Sequence, residues 1–159
     1  MMEKSLVLIK PDAVQRNLIG EIISRFEKKG FKLVAMKMVQ LDEPTLKKWY
    51  HQYADAPFFS KIANYMSWTP VIALVWEGYN AVDLIRRIIG TRKGWEAEAG
   101  SIRGDLGMSG GNNLVHASDS KENVEREIAI VFEKGEIHEY KTLTEELVYS
   151  EEERSGDFR

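Results

Sequence analysis

The chain contains no cysteine. Neither a disulfide framework nor a thiolate metal site is therefore open to it. Long apolar runs are missing as well, and no stretch approaches the ~20 residues needed to span a bilayer. The N-terminal MMEKSLVLIKPD has no small-residue cleavage site and runs directly into a strand-like segment. No signal peptide is expected, and the cytoplasm is the expected compartment. A basic excess is absent too: 22 Lys and Arg against 25 Asp and Glu leave a formal net charge of −3. That balance argues against a protein whose main partner is nucleic acid. Three histidines, widely separated, are too few for the usual zinc site. No G-x-x-x-x-G-K-[ST] occurs, no G-x-G-x-x-G follows a strand, and the protein-kinase motif set is missing. Any phosphate would have to be held by other means.

What remains is ordinary for one globular domain of 159 residues, 43% hydrophobic and 30% charged. Proline is scarce, and its four copies fall at boundaries: Pro11, Pro44, Pro57 and Pro70. Ser5 to Ile9 reads as a buried strand, followed by a turn at Pro11, Asp12 and Asn17. Leu18, Ile19, Ile22, Ile23 and Phe26 keep helical spacing up to Gly30. Phe31 to Val39 reads as a second strand. Asp42-Glu43-Pro44 marks a helix start, with Leu46, Trp49, Tyr50 and Tyr53 at spacings of three and four. A second helix carries Phe58, Phe59, Ile62 and Met66, and the Phe58-Phe59 pair can divide into one exposed and one buried ring. Pro70 to Trp76 is a buried strand ended by Glu77-Gly78, and Val82 to Ile89 an amphipathic helix closed by Gly90. Thr91 to Asn112 holds six of the chain's twelve glycines and reads as a long loop, a length uncommon unless functional or disordered. Leu114 and Val115 form a short strand into His116, and Asp119 or Ser120 caps a helix from Lys121 to about Phe132. Residues 1–149 are expected to form one domain, with 150–159 a mobile acidic tail. With the helix pair set aside as an insertion, the order is β-α-β-β-α-β. This is the ferredoxin-like α+β sandwich, an α/β arrangement on a four-stranded antiparallel sheet.

His51, which follows Tyr50 on an amphipathic helix, and His138, in the polar C-terminal segment, read as surface residues. His116 differs, standing at a strand end, after the glycine-rich loop and before a helix N-terminus that suits an anion. Imidazole near neutral pH can act as nucleophile, acid, base or ligand. In the following helix Glu127 falls on the apolar face with Val124, Ile128 and Val131. A carboxylate there is costly without a partner; either it fixes the His116 tautomer so that the other nitrogen attacks, or it reaches the helix edge and is solvated. Lys10, Arg86, Arg92 and Arg103 are the cationic candidates.

These residues sit in motifs that resemble the nucleoside diphosphate kinase family. Asn113-Leu114-Val115-His116-Ala117-Ser118-Asp119-Ser120 matches the family signature N-x-x-H-[GA]-S-D-[SA] at every position. Leu8 to Val14 (LIKPDAV), Ala56 to Phe59, Val75 to Gly78 and Ile102 to Asp105 are similar to its other landmarks, in the same order. The resemblance implies a ping-pong phosphotransferase in which His116 carries the γ-phosphoryl group from a nucleoside triphosphate to a diphosphate. It implies Glu127 as the histidine's partner, Arg86 and Arg103 on phosphates, and Lys10 and Asn113 on the ribose hydroxyls, with Lys10 also near the transferred group. Tyr50 would lie beside the γ-phosphate, Phe58 under the base, and Asp119 near a Mg²⁺ held mostly by the nucleotide. The family forms homo-oligomers, usually hexamers with tetramers known, and a hexamer is expected. Departures lie in the loop: Arg92 stands where a phosphate-binding threonine is usual, Ser101 replaces threonine, Leu106 an aromatic, and the loop's prolines are gone. Asn17 stands where glycine is common. Two alternatives stand: Thr91 substitutes by a one-residue shift, or Arg92 itself binds phosphate. The runner-up is a catalytically silent nucleotide-binding regulator of the same fold; a phosphorelay protein and a nucleic-acid binder rank below it.

Overall fold

The computed structural model describes residues 2–156. Its sheet has four strands, β1 (Met2–Ile9), β2 (Lys32–Val39), β3 (Val71–Tyr79) and β4 (Val115–Ala117), in the order β2-β3-β1-β4. All neighbours are antiparallel, as the ferredoxin-like arrangement requires. The helices are α1 (Pro11–Gln15), α2 (Ile19–Lys29), α3 (Glu43–Trp49), α4 (Phe59–Met66), α5 (Ala81–Ile89), α6 (Ile102–Leu106), α7 (Lys121–Val131), α8 (Glu145–Val148) and α9 (Glu151–Ser155). None is long and apolar enough to cross a membrane.

The unbroken apolar runs of β1 and β3 follow from helices on both faces of the sheet. Side chains alternate across a strand, so Val7, Ile9, Ile72, Leu74 and Trp76 enter one core with Ile22, Phe26 and Ile85. Leu6, Leu8, Val71, Ala73 and Val75 enter the other with Leu46, Trp49, Phe59 and Val131. His116 pairs directly with Leu8 in the β4–β1 ladder. Paired residues share a face, so the histidine looks toward the layer containing α7. The fold, before any contact is measured, thus aims His116 at the helix that carries Glu127.

Caps set the helix boundaries. The Asp42 carboxylate accepts from the Thr45 N–H at 2.9 Å, and the Ser120 hydroxyl accepts from the Asn123 N–H at 3.2 Å. Gly30 ends α2 in the left-handed region at φ 102°, and Asn17 holds φ 56°, a conformation asparagine tolerates where glycine is common.

Three expectations need correction. β3 does not stop at Glu77-Gly78 but runs to Tyr79. Gly78 is not a terminator; it makes room for Phe31, whose ring would lie 2.6 Å from an added Cβ. The aromatic helix face does not extend to Tyr53, because α3 ends at Trp49 and a 3₁₀ turn, His51–Tyr53, follows. The segment 91–112 is not all loop. It contains a 3₁₀ turn at Gly94–Glu96 and α6, which is too short to show periodicity. In the acidic end, Ser150 and Glu153 form a reciprocal capping box that starts α9, and Tyr149 ties the preceding turn to the end of β3 by accepting from the Tyr79 N–H.

Candidate active site

A cleft of about 690 Å³ opens where β4, α7, α5, the 91–112 segment and the α3–α4 hairpin converge. Lys10, Tyr50, Arg86, Arg92, Arg103, Asn113, His116, Asp119 and Glu127 all line it. Of the candidate site residues, Phe58 does not line it. It is exposed at the start of α4 and packs against Tyr53, ring centroids 5.6 Å apart, and Tyr53 lines the cleft. Phe59 is buried, so the phenylalanine pair divides as expected. His51 and His138 are exposed. A separate cleft of about 480 Å³ between α2, β2 and the C-terminal segment contains none of these candidates.

Glu127 is 4% exposed and is paired rather than solvated. Its Oε2 lies 3.0 Å from His116 Nε2 and accepts from the Ser118 hydroxyl at 2.6 Å, while Arg126 approaches Oε1 at 3.5 Å. A carboxylate can only accept here, so the ring nitrogen facing it carries the proton. The lone pair then resides on Nδ1, which no group among the described residues engages. The ring is steadied by Trp49, which meets it edge-on at 5.4 Å. Sequence reading missed Ser118 as part of this device. The signal was available, because residues two apart on a strand share a face, and Ser118 continues the β4 ladder by donating its N–H to the Leu6 carbonyl.

Opposite stands a cationic wall. The Lys10 ammonium donates to Asn113 Oδ1 at 2.7 Å. Its pKa is pushed down to about 8, first by burial and then by Arg103 and Arg92, against the opposing pull of Asp12. Arg103 is likewise lowered, to about 10, by burial and by Arg86 and Arg92. Arg103 is also a bracket: it donates to the carbonyls of Gly90, Asn113 and Val115, stitching α5, the long segment and β4 together. So many like charges in one cleft repel one another, and a polyanion would relieve them. Burial, with Glu127 nearby, raises the Tyr50 hydroxyl to about 12, so it stays protonated and can donate. Asp119 is held below the usual carboxylate range by a hydrogen bond from Asn123, with Arg86 and His116 adding to it.

The segment's glycines serve close approach. A Cβ on Gly104 would lie 1.9 Å from the Glu98 carbonyl oxygen, a backbone atom that cannot swing aside. Gly104→Ala is expected to destabilise the fold by about 3 kcal/mol and to displace Arg103, measurable as a lower urea midpoint with a parallel loss of nucleotide affinity. At 91 and 92, Arg92 lines the cleft, donating to the Gly110 carbonyl at 3.3 Å, whereas Thr91 does not line it. Among the described residues no three His, Cys, Asp or Glu side chains stand together as a metal-binding group.

Comparison with known proteins agrees with this geometry. The family model described as nucleoside diphosphate kinase matches residues 3–137. The nucleoside diphosphate kinase of Methanobrevibacter smithii is 46% identical over 149 residues, covering 94% of this chain and 99% of that protein. The mitochondrial nucleoside diphosphate kinase of Columba livia is 50% identical over 137 residues, 86% of this chain and 76% of its own. In three dimensions the halophilic enzyme of Halobacterium salinarum, solved with CDP, superposes with a TM-score of 0.89 at 38% identity, covering 94% of this chain and 99% of that one. With its histidine, its cationic wall and its sheet order all in place, the chain belongs to the nucleoside diphosphate kinase family.

Proposed function

We propose that His116 Nδ1 is the nucleophile of a ping-pong γ-phosphoryl transfer between nucleoside tri- and diphosphates. The observation that carries this is the pairing of Nε2 with buried Glu127, which leaves the other nitrogen as the free base. In the first half-reaction a bond forms from Nδ1 to the γ-phosphorus as the bond to the β-bridging oxygen breaks, and the diphosphate leaves. The ring keeps its Nε2 proton and becomes cationic, and Glu127 offsets that charge across 3.0 Å. The second half-reaction returns the group to a different diphosphate by the same steps reversed.

Lys10, Arg86, Arg92 and Arg103 neutralise the negative charge that spreads over the phosphoryl oxygens, and protonated Tyr50 donates to them. Lys10 and Asn113 also meet the ribose hydroxyls. A Mg²⁺ that arrives on the nucleotide would lie beside Asp119, which lines the cleft, and would supply further charge neutralisation. Phe58 offers a ring to the base. Stacking tolerates every base because each has a π-face, so Phe58→Ala should raise KM for all nucleotides alike. An increase of roughly 5- to 150-fold corresponds to the ~1–3 kcal/mol of one base stack, and Michaelis curves with purine and pyrimidine diphosphates would check it.

The rest of the proposal concerns setting. One kinase domain spans 1–149, with 150–159 a C-terminal extension whose last three residues lie outside the described structure. The chain works in the cytoplasm as a homo-oligomer, a hexamer in the manner of its family. Exposed Trp95 and Met108 on the 91–112 segment are apolar surface that assembly would cover; light scattering gives the subunit number. The deciding test is incubation with γ-labelled ATP and Mg²⁺, followed by an unlabelled GDP chase. Label that is acid-labile, base-stable and chased into GTP supports the proposal. A folded, ATP-binding protein that never labels would instead be the silent regulator.

A further inference from the structure

The cationic wall rests on a residue pair that the reaction scheme leaves unused. Asp12, in the first turn of α1, is 8% exposed. Both of its oxygens are engaged: Oδ1 accepts from the Tyr65 hydroxyl of α4, and Oδ2 accepts from the backbone N–H of Leu114 at 3.1 Å. Leu114 stands at φ +71°, in the left-handed region that a leucine disfavours, and its carbonyl accepts from the Lys10 N–H at 2.8 Å. Its side chain is fully buried, so the turn is fixed from three sides.

That turn has a definite output. Immediately before it, Asn113 sends its side chain to the Lys10 ammonium and its carbonyl to Arg103 Nε. Immediately after it, the Val115 carbonyl takes Arg103 Nη2, and His116 follows. Tyr65 touches both ends of the arrangement, because its ring also lies 5.9 Å from Lys10 Nζ. An ordinary core tie would not place a buried hydrogen bond, a half-buried one and an unfavourable backbone angle between the site's lysine and its nucleophile.

We propose that Asp12 and Tyr65 are positioning residues for phosphoryl transfer, holding the turn at Leu114 in the form that presents Lys10 and Arg103 to the transferred group. The proposal rests on the nucleotide-kinase reading of the cleft. Neither residue touches the substrate in this scheme; both act through Asn113, Arg103 and Lys10.

Tyr65→Phe is the informative variant, because it keeps the ring beside Lys10 and the charge on Asp12 while removing one hydrogen bond. Its kcat should fall roughly ten-fold, as expected for losing a hydrogen bond to a charged group, with KM changed much less. The charged and titratable groups around Lys10 are Asp12 on α1, Arg92 and Arg103 on the long segment and Tyr65 on α4. Loosening the turn moves Lys10 away from the two guanidinium groups, so the alkaline limb of kcat/KM should shift upward. Asp12→Ala should cost roughly a hundred-fold in kcat, and Asp12→Asn should recover much of it, since an amide oxygen can still accept from Leu114. If Asp12→Ala does not fold, Tyr65→Phe still decides. Wild-type protein assayed alongside separates the two questions: an inactive wild type refutes the kinase reading, whereas a Tyr65→Phe variant matching active wild type in kcat and alkaline limb, with only a lower Tm, overturns the positioning role.

Discussion

His116→Gln is expected to abolish phosphoenzyme formation and to lower turnover by on the order of 10⁴-fold or more. Glutamine fills similar space and can still donate an N–H to Glu127, so the buried carboxylate keeps a partner and the fold should survive. What it lacks is a nitrogen lone pair able to hold a phosphoryl group. The carboxylate's other donor, Ser118 at 2.6 Å, remains. Label from γ-labelled ATP should therefore be absent from a protein that melts normally and still binds ATP. Label that persisted on this variant would place the covalent group on another residue and overturn the assignment of His116.

Lys10→Met should lower kcat/KM by about 10²- to 10³-fold, the usual effect of removing one preorganised donor from developing charge, and yet raise the melting temperature at pH 7. The two effects have one origin. In the folded protein Lys10 titrates at about 8, because burial and the neighbouring guanidinium groups disfavour its charge. The unfolded chain keeps the ordinary value near 10.5 and so binds more protons than the folded chain between about pH 8 and 10.5. Stability linked to Lys10 therefore rises with pH across that window. Below pH 8 the full penalty of holding the charged lysine in the cleft is present, and methionine removes it. Activity runs the opposite way: kcat/KM of the wild type should decline as pH rises through about 8, when the free enzyme's ammonium is lost. Thermal melts and pH–rate profiles of the two proteins test both signs. A Lys10→Met variant that was both inactive and less stable would show that the lysine supports the fold, contrary to this argument.

Much of this site was legible because its chemistry lies in side chains that have few innocent explanations where they stand. A histidine at a strand end, a glutamate on an apolar helix stripe and a lysine closing an apolar strand each break a local pattern. The fold class was legible for a related reason: Leu6 to Ile9 of β1 and Val71 to Trp76 of β3 are buried apolar runs without a break, the pattern of a sheet covered on both faces. What was hidden depends on backbone conformation and on long-range pairing. Nothing in the letter sequence marks Leu114 as left-handed, and Asp12 passes for a turn residue until its carboxylate is seen to reach across 102 positions. Gly78 looked like a strand end because its space-giving role depends on Phe31, placed beside it only by folding. The short α6 was lost among glycines, since five residues make too little of a helix to leave a period. Arg103 was recognised as a cation but not as a bracket, because backbone carbonyls are the same in every sequence.

The order of strands also determines when, during its synthesis, a chain of this kind becomes an enzyme. Lys10 is made at the beginning and meets Asn113 only 103 residues later. β4 joins β1 across a comparable span, and Glu127 comes later still. A nascent chain that has emerged only as far as α5 can pair β1, β2 and β3, yet it possesses neither the nucleophile nor the loop that brackets it. Folding must close these long spans before it gains their contacts, which is slow compared with forming local helices. A product released before β4 has no His116 with which to take a phosphate from ATP, so the appearance of phosphohistidine during translation would date the moment at which the last strand docks.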